Sequence, residues 1–156
     1  MPPKKPAHNA DAQMAEHLID VLSDTYLLMI KTHGYHWNVT GPLFPQLHAL
    51  FGEQYTELFA AADELAERIR ALDFPAPGST EAFRDNTVIE ESDSDPMTAP
   101  AMVKDLLKSH EKTRGRIEEA RAFAEEVEDR ATEDMLIGRL AVHDKTIWML
   151  RAQTGS

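Results

Sequence analysis

Apolar residues recur along this chain at intervals of three and four, the period of a helix with one buried face. Ile19, Leu22, Tyr26, Met29, His33 and His36 form one such line and predict a helix over about residues 10–35. Gly41 and Pro42 break the pattern, and a second helix is expected over about 45–72, with no proline inside it. A third line, Val103, Leu106, His110, Thr113, Ile117, Ala120, Ala124 and Val127, predicts a helix over about 99–126. A fourth, Leu136, Leu140, His143, Ile147 and Leu150, predicts one over about 132–152.

The stretch 74–100 is rich in Pro, Ser and Asp. A structureless loop of that length does not suit a compact domain. It fits as a crossover that travels the length of a bundle, with a short helix near 80–83 capped by Ser79 or Thr80. The reading is all-α: a four-helix bundle at 10–156, with the long crossover between helices two and three, behind a flexible tail at 1–9.

Chemistry concentrates on the first two helices. His36 and Trp37 stand in HWNVTGP, His48 in FPQLHALF, and Asp63 and Glu67 in DELAER. Imidazole and carboxylate are N and O donors that suit iron or zinc. Asp63 and Glu67 are one turn apart, so both carboxylates share a helix face. His48 precedes Asp63 by fifteen residues, about 22 Å along an unbroken helix. On that geometry one chain cannot bring both to one ion. Either there are two unrelated pairs, or two chains build one site. Glu64 and Arg68 read as an ordinary i,i+4 ion pair.

The run HWNVTGPLFPQLHALFGEQY followed by DELAERIRALD resembles the Dps family, the small ferritin-like proteins of starved bacteria. The likeness spans about residues 31–73, and the helical layout of the rest agrees with the ferritin-like bundle. It implies a shell of twelve subunits with iron-oxidising sites between two-fold-related chains. His36 and His48 would come from one chain, and Asp63 and Glu67 from its partner. It further implies that Trp37 stands beside the iron and supplies an electron, and that Asp129 and Asp134 line three-fold pores for iron entry. Hydrogen peroxide, in preference to dioxygen, would be the oxidant. Zinc would be a competing ion. In one place the chain departs from the family. Gly52 stands four residues after His48, where the family carries an acidic residue. The second iron position is then weak, water-filled or served by another side chain such as His143, and Gly52→Asp is expected to strengthen it.

Composition narrows the alternatives. The chain of 156 residues is large enough for one domain with a core, and it has no cysteine for a disulfide or thiolate site. No apolar run approaches a membrane span, and the start resembles no secretory signal, so a bacterial cytoplasmic location is expected, whether or not near the nucleoid. Glu-x-x-His, the motif of intrachain di-iron bundles, is absent. Two other readings are a DNA-compacting nucleoid protein and a bundle with a structural zinc. Against the first stands a net charge of −11, which repels phosphate. Retention of DNA is therefore expected to be weak or absent in physiological salt, and removal of residues 1–9, with Lys4 and Lys5, should abolish what there is. Gel retardation across a salt series checks this; tight binding by the truncated protein would contradict it.

Overall fold

A computed structural model describes residues 6–93 and 97–155. Every element among them is a helix: α1 spans Pro6–Asn38, α2 Phe44–Ala71, α3 Thr80–Asn86, α4 Ala99–Glu126 and α5 Arg130–Gln153. Helix α1 packs along α2 and α4, α4 packs along α5, and α3 rests on α1. The expected bundle with one long crossover is the observed one.

Local chemistry sets the boundaries. Ser79 caps α3 by accepting a hydrogen bond from the Ala82 N–H at 3.2 Å, and Thr98 caps α4 through the Ala101 N–H at 3.3 Å. Proline sits in the first turn of α2 and α4, where a missing N–H costs nothing. Helix α1 begins four residues before the expected start, so residues 6–9 are helix rather than tail. Residues 1–5, which include Lys4 and Lys5, lie outside the described residues.

The line of α1 that enters the core differs from the apolar line in the sequence. Leu18, Val21, Thr25, Leu28, Thr32 and Tyr35 are buried; of the apolar line, Leu22 and Met29 are buried too, whereas Ile19, Tyr26, His33 and His36 are half-buried. Thr25 and Thr32 explain the rotation. Each hydroxyl donates to the carbonyl four residues back, at 2.7 Å, so these threonines enter the core with their polar groups satisfied.

The core has two apolar ends. One contains Leu18, Leu22, Leu65, Ile69, Ile117 and Leu136; the other contains Leu28, Leu47, Phe51, Met102, Leu106 and Leu150. Along α4 and α5 the residues between these ends are polar and buried: His110, Thr113, Arg139 and His143. Arg139 and the two histidines are wired in order. Arg139, ion-paired with Glu57, donates from Nη2 to His143 Nε2 at 3.1 Å. A neutral His143 then carries its proton on Nδ1 and donates it to His110 Nδ1, 3.0 Å away. Asp24, fully buried in α1, anchors the crossover. It accepts from the Thr87 hydroxyl at 2.7 Å and the Val88 N–H at 2.9 Å, and Arg116 lies within 3.4 Å. Burial nevertheless raises the Asp24 carboxyl above its ordinary value.

Burial, and then the Arg139 charge, pushes His110 down to about 3, and burial holds His143 well below the ordinary imidazole value. As pH falls through about 6.5 the unfolded chain therefore takes up protons that the folded chain refuses. Their contribution to stability is full above that pH and is lost progressively below it. At pH 5 His110 alone should remove on the order of 2 kcal/mol. Urea unfolding at pH 7.5 and pH 5 should show this loss, and His110→Gln should flatten it. An unchanged pH slope in the variant would contradict the account.

Candidate metal centre

The chain turns between α1 and α2 through Gly41, whose φ of 102° favours glycine. This places His36, in the last turn of α1, against His48, near the start of α2. Their rings stack with centroids 3.8 Å apart and planes at 16°. His36 Nδ1 donates to the His48 carbonyl at 2.7 Å, and His48 Nδ1 donates to the His36 carbonyl at 2.7 Å. A carbonyl can only accept, so each Nδ1 carries the proton. In the neutral rings both Nε2 atoms then keep a free lone pair, the form in which imidazole binds metal. The His36 carbonyl also belongs to the last turn of α1, which has no helical donor, and His48 satisfies it.

An aromatic group adjoins this pair. The His33 ring lies 3.9 Å from Trp37 and 4.0 Å from Tyr55, and Tyr55 is 5.3 Å from His36. Desolvation, and then His36, lowers the His33 imidazole. Trp37 itself is 65% exposed. Tyr55 closes the run that starts at His36, but nothing in the sequence marks it as a neighbour of the histidines. Its spacing from His48 and Gly52 along α2 shows only once α1 is laid against that helix.

The carboxylates are elsewhere. Helix α2 runs unbroken from Phe44 to Ala71, so His48 and Asp63 are about 22 Å apart along its axis. Asp63 and Glu67 are exposed. Asp63 borders an open hollow of about 640 Å³ lined by Tyr26, Phe59, Ala60, Ala66 and Phe83, with Phe59 60% exposed. Among the described residues of one chain, no three His, Asp or Glu side chains converge on a metal position.

Several expected residues are placed differently. His143 is in the core, with one ring nitrogen on His110 and the other on Arg139, so it is not the replacement ligand beside Gly52. Burial of its α5 face, which the apolar line in the sequence already marks, is the reason. Arg68 pairs with Asp129 at 2.9 Å rather than with Glu64. Asp129 is the N-cap of α5 and accepts from the Thr132 N–H at 3.1 Å and from the Thr132 hydroxyl, so both its oxygens have partners within the chain. Asp134 is exposed, and Glu133 is half-buried beside Arg121.

Comparison with known proteins agrees with this architecture. Residues 15–156 match the model of the ferritin-like domain. A low temperature-induced protein of Nostoc is 38% identical over 132 residues, 84% of this chain and 74% of that protein. DNA protection during starvation protein 2 of Bacillus anthracis is 34% identical over 140 residues, 90% of this chain and 95% of that one. The solved Dps protein of Vibrio cholerae, described as a member of a superfamily of ferritin-like diiron-carboxylate proteins, superposes with a TM-score of 0.90 at 28% identity and covers 94% of this chain and 91% of that one. The fold and the helix pairing define a ferritin-like protein; within that class the chain belongs to the Dps family. Storage of iron and protection are the general functions of that family.

Asp129 gives a test of site against scaffold. Asp129→Ala removes a cap and leaves Arg68 unpaired, and should lower stability by about 1–2 kcal/mol in denaturant titration. Unchanged stability with slowed iron uptake would instead make Asp129 a pore residue.

Proposed function

We propose that this chain is a Dps-type miniferritin that oxidises Fe2+ at sites shared between two subunits and stores the product inside a twelve-subunit shell. The observation that carries the reading is the His36–His48 pair, with both Nδ1 protons tied to backbone and both Nε2 lone pairs free. Asp63 and Glu67 lie on the same helix as His48 and out of its reach, so a second copy must complete the ligand set. The exposed apolar side chains around Asp63 suit burial against that copy. That the Vibrio relative is a ferritin-like diiron-carboxylate protein supports iron as the substrate.

The chemistry follows from the donors. Imidazole nitrogen and carboxylate oxygen hold Fe2+ without filling its coordination, which leaves room for an oxidant. Reduction of one hydrogen peroxide to two waters takes two electrons and two protons, and two Fe2+ supply the electrons. Taking them as a pair avoids the hydroxyl radical that a single transfer releases. Peroxide is the preferred oxidant in this reading and dioxygen the slower one. Trp37, whose ring lies 3.9 Å from His33 and is open to solvent, would donate an electron when a turnover is short of iron. Asp134, exposed near the start of α5, is a candidate for the entry path. Zn2+ has the same ligand preferences and competes for the site. The acidic surface opposes DNA, so protection comes from removing Fe2+ and peroxide.

Stopped-flow oxidation of Fe2+ by peroxide should be fast in the assembled protein, slowed by Zn2+, and abolished by His36→Ala or Asp63→Ala. Shells co-refolded from the two variants should regain part of the activity, because some interfaces receive one intact site. Absence of complementation in shells shown to be mixed would sink the shared-site reading, and so would an active monomer in mass photometry.

A further inference from the structure

Gly52 lies inside α2, one turn beyond His48, where any residue but proline would favour the helix more. Its position gives it a purpose. A Cβ at residue 52 would stand 3.1 Å from His36 Cε1 and 3.2 Å from His36 Nδ1, tighter than ordinary contact. Two other helix glycines, Gly115 in α4 and Gly138 in α5, have nothing within 4 Å of the same position. The His36 ring thus rests on the bare backbone of α2.

The ring cannot easily give way. Its Nδ1 is held at 2.7 Å by the His48 carbonyl, its face is stacked on His48 at 3.8 Å, and Tyr55 lies 5.3 Å away. The His48 carbonyl points along the helix toward residue 52, so a side chain there crowds the hydrogen bond that orients His36. We infer that Gly52 is a positioning residue of the metal centre: the lack of a side chain lets His36 reach the His48 carbonyl and turn its Nε2 outward beside that of His48. This rests on the proposed metal-binding role of the histidines. It also reverses the expectation from sequence, since a carboxylate restored at 52 would arrive with a Cβ that displaces a ligand.

The test is anaerobic titration of the assembled, metal-free protein with Co2+, read by its visible d–d absorption, alongside thermal unfolding without metal. Gly52→Ala should leave the thermal midpoint close to that of the parent, because the better helix propensity of Ala offsets the crowded His36 hydrogen bond, while Co2+ affinity falls by about 10- to 100-fold and the absorption changes, as when an oriented metal-binding imidazole loses its support. Gly52→Asp should likewise weaken Co2+ binding. Gly115→Ala, a helix glycine with open space around it, should raise the midpoint and leave the Co2+ spectrum unchanged. If Gly52→Ala binds Co2+ with the affinity and spectrum of the parent, or if Gly52→Asp binds it more tightly, Gly52 has no positioning role. His36→Ala separates this from failure of the underlying reading. Loss of Co2+ there with none in Gly52→Ala overturns the inference alone; retention of Co2+ in His36→Ala overturns the metal centre and the inference with it.

Discussion

Two hydrogen bonds across the first interhelical turn organise the molecule. His36 Nδ1 to the His48 carbonyl and His48 Nδ1 to the His36 carbonyl are each 2.7 Å long, and each closes a need of the backbone or the ring. They supply a donor at the open end of α1, fix the approach of α1 to α2, and leave two parallel imidazoles with their lone pairs outward. In the proposed metal centre, the bonds that stabilise the turn would also orient the two ligands.

A second constraint is length. A continuous α2 keeps the histidine end and the carboxylate end of the chain about 22 Å apart, and no side chain spans that distance. In the proposed site, completion of the ligand set by another subunit rests on helix geometry rather than on any feature of the carboxylates. The apolar hollow beside Asp63, ringed by Tyr26, Phe59 and Phe83, lies on the same surface, so the area that would bury against a second copy and the ligands that copy would contribute coincide.

Between the two apolar ends of the bundle, the His110–His143–Arg139 layer with Glu57 is an expensive feature. Buried polar groups cost least when paired, and here the pairing fixes direction: Arg139 can only donate, which sets the tautomer of His143 and then that of His110, whose Nε2 is left without a partner among the described residues. Such a layer specifies the register of α4 against α5 in a way that interchangeable leucines would not. Asp24 does the same for the crossover, which it ties at Thr87 and Val88 to the wall of α1.

The periodicity of apolar residues determined four long helices, their order and the crossover, because burial of one helix face is written at a period of about 3.6 residues. Ser79 and the prolines near 45 and 100 marked helix starts for equally local reasons. The spacing of His48 and Asp63 already forbade a site within one chain. What the tertiary structure decided was every relation across helices: that Arg68 reaches Asp129 on another helix, that His143 is spent in the core, that Tyr55 joins the aromatic group, and that Gly52 is the floor beneath His36. Local rules act between neighbours along the chain. These contacts join residues from 12 to more than 60 positions apart, and their partners are set by how whole helices pack.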